Sequence, residues 1–557
     1  MTMKAWLKSG SPWIWLNGGA VAMCMIMVVG LIGLIAVRGF GHFWPANIAQ
    51  IEITNEQGEQ IVVIGEIVRS QTIPSIVARD AGNEVPDDME MVTRYLVKQG
   101  NRDQTGRDFV WYLELGMGEF TYPLDAYQIE RREWGNFYGK PVALLREGEV
   151  VSTPQQPGFW RDMQAALDRS LKLHQEIQRL ERRQIGRINT AMEQLRLETR
   201  RLNLRDVSGP EREYEDARIA AARAELDAQY EELSVELDAL KAAQRRDTLQ
   251  MVTAEGAQVD LSMALIVRVT APNSMSVPAK MGQYVERLWE FLSDNPREAN
   301  TEGGIFPAIF GTVTMVFIMS IIVTPFGILA AIYLREYAKQ GLLTRVIRIS
   351  VYNLAGVPSI VYGVFGLGFF VYFLGGSLDR LFYEAALPTP TFGTPGLFWA
   401  SLTLALLTLP IVIVSTEEGL ARIPSTIRQG SLALGATKAE TLWKVIVPLA
   451  TPAMMTGLIL AIARAAGEVA PLMLVGVVKL APSLPIDGSF PFVHLERKIM
   501  HLGFHIYDVG FQSSNAEAAR PLVYATALIL VMLIVVLNLT AISIRNRLRE
   551  RYRNASD

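Results

Sequence analysis

An arginine and a glutamate four residues apart, Arg464 and Glu468, stand inside an otherwise uncharged apolar run. Charge in such a run is costly and normally faces a bundle interior or a water-filled cavity. On a helix, a spacing of four puts both groups on one face, close enough to pair. An arginine fork suits an oxyanion, because its planar donors match pairs of acceptor oxygens. Two readings are open. Either Arg464 meets an oxyanion while Glu468 keeps it from trapping that anion, or the two form an ion pair that ties helices together. Ser359 and Tyr362, in another apolar run, are further candidates for a polar pathway, with packing as the alternative. The single cysteine, Cys24, lies in the first apolar run and reads as a small apolar filler. His174 has no partner at metal-ligand spacing and reads as a surface residue. These residues point to binding and passage rather than to bond-making chemistry.

A second constellation is mechanical. The segment 417–448 is too long and too well patterned for a simple connector. A first short helix carrying Arg428, Gln429, Gly430 and Ser431 is expected to end at Gly435, a natural residue for the position after a helix C-cap. After Ala436, Thr437 and Glu440 have the spacing of a capping box that starts a second helix. Pro448 is expected to close the segment before the next apolar run. The result is a pair of helices bent at a glycine, a stiff lever.

The elements that must position these residues are apolar runs. A bilayer core about 30 Å thick needs roughly 20 apolar residues of helix. Six runs qualify, at about 15–37, 306–334, 354–375, 397–415, 450–478 and 522–544. The first is too long for a signal-peptide core and lacks a small-residue cleavage site, so it reads as an uncleaved anchor. Proline within or beside several runs (Pro325, Pro358, Pro410, Pro471) is tolerated when neighbouring helices re-satisfy the freed backbone, which argues for a packed bundle. Lysine and arginine concentrate on one set of short loops, including Lys4, Lys8, Arg335, Arg345, Arg422, Lys444 and the tail from Arg545. That asymmetry places both termini in the cytoplasm.

The stretch 45–304 is then expected outside the cytoplasm. It opens with β-branched segments, 51–54, 61–64 and 66–68, bounded by Gly58 and Gly65, and holds another strand candidate at 261–269. Between them, Ile188, Met192, Leu195, Thr199 and Leu202, and again Leu226, Tyr230, Leu233, Leu237 and Leu240, repeat at alternating spacings of four and three. This marks a coiled-coil seam or the packed face of a small bundle. Ser208-Gly-Pro between the runs is the expected bend of an antiparallel helical hairpin over about 160–246. The formal net charge of −3 excludes an overall basic nucleic-acid binder. The expected fold is an α-helical integral membrane protein with six spans and an outer α+β domain. Its divisions are 1–44, 45–304, 305–545 and a tail from 546.

The lever resembles the cytoplasmic loop of binding-protein-dependent ABC permeases. That loop reads Glu-Ala-Ala, three residues, Gly, nine residues, Ile, one residue, Leu-Pro. Here Gln429-Gly-Ser replaces the first three, Gly435 keeps the glycine, and Val445 with Val447-Pro448 keeps the end. The chain is more closely similar to phosphate permeases of the PstA type, over about 303–545. The matching stretches are Gly303-Gly-Ile-Phe-Pro-Ala-Ile-Phe-Gly-Thr, Gly327-Ile-Leu-Ala-Ala-Ile-Tyr-Leu-Arg-Glu-Tyr-Ala, Asn353-Leu-Ala-Gly-Val-Pro-Ser-Ile-Val-Tyr-Gly and Ala463-Arg-Ala-Ala-Gly-Glu-Val-Ala-Pro-Leu.

The resemblance implies an importer-permease fold in a bacterial inner membrane, with the outer domain periplasmic. It also implies that the lever couples to a separate ATP-binding subunit, through Arg428, Gln429, Gly430, Ser431, Gly435, Ala436, Thr437, Glu440 and Pro448. The chain has no phosphate-binding P-loop, so it is expected to bind no cofactor and to leave ATP to a PstB-like dimer. The other implied partners are a PstC-like second permease, a periplasmic phosphate-binding protein and membrane lipids, with no nucleic acid. In the resembled family Arg464 and Glu468 match residues important for transport. Alternatives are a permease for sulfate or molybdate and a membrane sensor receptor, which would leave four spans and the lever without a purpose. The long outer segment is foreign to typical members. Its expected role is to dock the binding protein or the second permease.

Overall fold

The computed structural model describes residues 11–54, 60–488, 490–513 and 516–554; Lys4, Lys8 and Gly58 lie outside these. The chain divides into a unit of residues 1–42, 291–295 and 304–557 and a second unit of 43–290 and 296–303.

Among the described residues, six helices of the first unit are long and apolar enough to cross a membrane: Trp13–Gly41, Phe306–Tyr337, Ser359–Phe382, Leu397–Ala421, Lys438–Gly467 and Ala519–Arg547. The fourth is central, packed between the second and the fifth. Small residues let the backbones approach, as membrane helices require where burial of apolar surface gains nothing over lipid. A methyl group on Gly327 would press on Val412, one on Gly457 on Ser415, and one on Gly419 on Ala453. The shared core includes Met315, Leu404, Leu407, Ala461 and Ala465. Cys24 is exposed on the first span rather than filling a core.

Four span boundaries differ from the sequence reading. Leu354 ends a separate helix, Leu342–Leu354, and the third span starts at Ser359. The cause is Pro358 at the cap, where its ring fixes φ at −55°, since a proline rejects the helical turn before it. The fourth span runs on to Ala421, so Glu417 and Glu418 belong to it and not to the loop. The fifth begins earlier and ends earlier, at Gly467. The sixth belongs to one continuous helix, Ala516–Asn554.

The second unit is α+β. Strands β1 (Ile48–Thr54), β2 (Gln60–Pro74), β3 (Met91–Lys98) and β4 (Phe109–Leu113) form an antiparallel sheet in sequence order. A second sheet contains β5 (Tyr127–Arg131), β6 (Phe137–Arg146), β7 (Glu149–Ser152), β8 (Asp247–Val252), β9 (Gln258–Ser262) and β10 (Ile266–Thr270). Its order is β10-β5-β6-β8-β9, with β7 also on β6. Helix Phe159–Arg179 covers it, burying Phe159, Met163 and Leu167 against Phe137, Leu249 and Met251.

Two strand expectations are corrected. Segments 61–64 and 66–68 are one strand, β2, running through Gly65 instead of stopping there. The glycine serves close approach, because a Cβ would collide with the Lys98 carbonyl of β3. Segment 261–269 is two strands, β9 and β10, separated by a turn in which Leu265 N–H donates to the Ser262 carbonyl at 3.0 Å.

The hairpin has helices Phe159–Arg179 and Gly186–Leu204, joined through a π-turn at Leu180–Ile185, and the return helix Pro210–Arg245. Gly209 adopts φ 76° at the bend and Pro210 starts the return helix. Of the expected seam, Ile188 is buried and Tyr230 is exposed, with the rest between. Charge also sets the register: Arg218 reaches Glu198 at 2.6 Å and Lys241 reaches Glu181 at 2.9 Å across the pair.

Candidate functional site: a broken span and a cytoplasmic-type elbow

The helix of the fifth span stops one residue before Glu468. Gly467 is its last residue, and Glu468 is extended (φ −75°, ψ 136°). Pro471 follows and begins a short turn, Leu472–Val475. Glycine lowers the cost of leaving the helix, and the proline prevents the helix from resuming through Ala470. Arg464 and Glu468 therefore do not share a helical face, contrary to the reading from spacing. They still meet, with Arg464 Nε donating to Glu468 Oε1 at 3.4 Å, a long contact. About a third of the Arg464 side chain and less of Glu468 are exposed (33% and 18%). An unwound span beside a charged pair is a common pointer to a membrane binding site.

The third span lies against this break: a methyl group on Gly363 would stand 2.7 Å from Pro471 Cα. Tyr362 is buried and its hydroxyl donates to the Leu354 carbonyl at 2.6 Å, which commits it to holding the turn before the third span. Ser359 starts that helix, partly exposed. From the other side, Gly503 and the His501 ring close on the break, since a methyl on Gly503 would touch Val469 Cγ2 at 2.8 Å.

The elbow follows the sequence reading at its bend. The first arm is Ser425–Ala433, and Gly435 has φ +89° with open space around it. Only its backbone freedom is used there. Thr437 accepts from Glu440 N–H while the Glu440 carboxylate accepts from Thr437 N–H at 3.0 Å, a complete capping box. Pro448 does not end the second arm: Lys438–Gly467 is one helical run. The π-turn at Leu442–Ile446 widens the helix just where the proline removes a donor, so arm and span are continuous.

Gln429, Gly430 and Ala436 lie on the elbow surface or near it, whereas Ser431 turns inward to the Thr441 hydroxyl at 2.9 Å. Arg428 also turns inward. It donates to the carbonyls of Ile423 (2.7 Å) and Leu420 (2.8 Å) and to Glu336 (2.9 Å). Apolar residues that spacing did not single out stand on the elbow surface: Leu434 at its tip is 90% exposed, with Ile427, Leu432 and Trp443 exposed around it. Their signal in the sequence is apolar character at a helix end flanked by polar neighbours. Near the elbow end of the fourth span, Tyr352, Ser415, Glu418, Arg422 and Thr456 line a cavity of ≈ 530 Å³.

In the second unit several charged groups are paired. Glu130 accepts from Arg268 (2.8 Å) and Arg297 (2.5 Å), and both arginines also meet Glu290. Burial opposes the Glu130 charge, but these arginines outweigh it and hold the carboxyl below its usual range. His174 is half-buried and bonded to Gln178 at 2.8 Å, not a free surface residue; burial pushes its pKa down to about 4. Among the described residues no group of His, Cys, Asp and Glu is arranged to hold a metal.

The family described as the binding-protein-dependent transport system inner membrane component matches residues 323–554. The phosphate transport system permease protein PstA 1 of Mycobacterium tuberculosis is 32% identical over 244 residues, covering 44% of this chain and 71% of its own length. This chain belongs to that permease family, on its PstA-type branch. The PstA of Mycobacterium leprae is 33% identical over 276 residues, 49% of this chain and 81% of its own. A probable phosphate transport system permease protein PstC of Methanocaldococcus jannaschii is 30% identical over 276 residues, 48% and 82% of the two chains. The PstA-type chain is thus a multi-pass inner-membrane permease, a non-catalytic membrane subunit of an ABC importer. Permeases of this kind work with a second permease, an ATPase and a periplasmic binding protein.

Proposed function

We propose that this chain forms half of the translocation pathway of an inorganic phosphate importer. The observation that carries the reading is the broken fifth span, with Arg464 and Glu468 partly exposed at the break in a PstA-type permease. A guanidinium held by one long contact can exchange that contact for a phosphate oxygen, and the nearby carboxylate then competes for the arginine and lets the anion leave. The second permease is PstC-like, and a periplasmic phosphate-binding protein delivers substrate. A PstB-like dimer hydrolyses ATP against the elbow. There, Leu434 and its apolar neighbours supply the buried contact and Gln429 and Gly430 supply polar ones. The Thr437–Glu440 capping box and Gly435 keep the elbow's shape.

Both termini and the elbow then lie in the cytoplasm and the second unit in the periplasm, as the lysine and arginine distribution favours. The second unit serves to dock the binding protein or the partner permease. The test is uptake of radiolabelled phosphate into vesicles containing the chain with its partner subunits, in competition with sulfate and molybdate. Phosphate uptake that neither competitor reduces supports the reading. Uptake of sulfate or molybdate in place of phosphate sinks it, and unchanged uptake after removal of about 50–300 sinks the docking role.

A further inference from the structure

The inner end of the second span meets both arms of the elbow through one residue. Glu336 sits in a π-turn, Tyr333–Tyr337, that closes the span. Its carboxylate accepts from Arg428 of the first arm at 2.9 Å, and its backbone carbonyl accepts from Lys438, the first residue of the second arm, at 2.7 Å. The Lys438 ammonium also lies over the Tyr337 ring, 4.6 Å from its centre. Arg428 is also held on the other side by the Leu420 and Ile423 carbonyls, where the fourth span ends. Glu336 is 15% exposed and Arg428 22%, so water weakens this contact less than it would a surface pair. Around it, Ile332, Leu420, Ile423, Leu442 and Ile446 form one apolar cluster.

Covalent connection alone would let the elbow pull only on the fourth and fifth spans. We infer that Glu336 and Arg428 form a clasp that makes the second span a third element driven by the elbow. The inference rests on the proposed role of the elbow as the ATPase contact. Some 24 residues from Glu336 the same span holds Thr312, about 36 Å away at helical rise. Its hydroxyl accepts from Leu502 N–H at 3.0 Å, in the segment that carries His501 and Gly503 against the break at Val469. A rigid span held at both ends carries elbow displacement to the loop beside Arg464 and Glu468. Arg428 is therefore a positioning residue, turned inward to three protein acceptors and not toward an ATPase contact.

The experiment uses the complete importer in vesicles, with Glu336→Gln, Arg428→Gln and the double variant. Phosphate uptake, ATP hydrolysis and co-purification of the ATPase subunit are measured for each. The expected result for each single variant is uptake lowered about tenfold, the size of one lost charge-assisted contact. Hydrolysis stays near the wild-type rate, and the double variant is no worse than the weaker single. Multiplying defects, or uptake kept in both singles, overturns the clasp. Loss of the ATPase subunit from the variants also overturns it, because the contact would then be a docking prop. A wild-type importer that hydrolyses ATP but accumulates no phosphate indicts the substrate reading instead, and the clasp is then read from the uptake of whichever oxyanion is carried.

Discussion

Two arginine–glutamate contacts in the membrane unit are built in opposite ways. Arg428 holds Glu336 at 2.9 Å and two backbone carbonyls besides. Arg464 reaches Glu468 through a single contact of 3.4 Å, across a point where the helix has ended. The first arginine has three donors committed to fixed protein acceptors. The second keeps donors free of protein partners among the described residues and stays a third exposed. The same pair of residue types is thus a strut where the backbone around it is closed. Where the backbone is broken, it is an exchangeable anion contact.

The largest effect is expected from attacking the shape that the strut defends. Gly435→Val puts a β-branched residue at φ +89°, where a side chain costs roughly 1–2 kcal/mol. The elbow then adopts another bend, and uptake should fall below about a tenth of wild type while membrane insertion stays normal. Retained uptake would show that the bend is not what the ATPase drives. Next comes the exchangeable contact. Arg464→Gln should lower uptake by about tenfold, the low end for one hydrogen bond to a charged group. Glu468→Gln separates the two readings left open by the sequence. A competitor for the anion, when removed, leaves phosphate held longer, so the half-saturating concentration falls together with the maximal rate. A purely structural pair gives lowered rates with no tighter binding.

A smaller effect belongs to Thr437→Ala. Loss of the cap costs about 1 kcal/mol of helix stability, and the second arm should fray at Lys438–Thr441 while the span below it remains. Amide exchange over residues 437–441 measures this directly. Faster exchange there with uptake reduced only about twofold fits an elbow whose shape rests mainly on the glycine and the clasp. No change in exchange would mean that the capping box contributes nothing.

The bend of the elbow was legible in the sequence because its signals are local: a left-handed glycine and a threonine and glutamate three apart. Each acts within one turn of chain. Pro448 was misread as an end because a π-turn lets the helix run through it. The inward turn of Arg428 was not legible, because its partner Glu336 is 92 residues away and only packing brings them together. The break at Gly467 was half legible. Glycine and proline flank Glu468 in the sequence, yet the apolar run continues to Val478 and hydropathy alone reads through the interruption. In the second unit, β-branched runs found β-structure but misjudged its limits. Gly65 reads locally as a stop, and only the neighbouring strand's carbonyl explains why it lies mid-strand. The hairpin was plain, since its heptad spacing and its Gly-Pro bend agree.

His174 in the second unit supplies the control for both contacts, and the smallest expected effect. Burial first, then the charge of Arg132, lowers its pKa from 6.5 to about 4. Its neutral ring is therefore favoured in the folded state, and the unfolded chain takes up the proton first. The stability this contributes is present above about pH 6.5, falls as the pH drops toward 4, and changes no further below that. Acidification across this window should speed amide exchange in helix Phe159–Arg179, and His174→Gln should remove that dependence. Because His174 is no part of the pathway or the elbow, the pH profile of uptake should be the same in wild type and variant. A shifted profile would mean that the second unit feeds directly into transport, and the contrast between a closed strut and an open anion contact would no longer account for how this permease is driven.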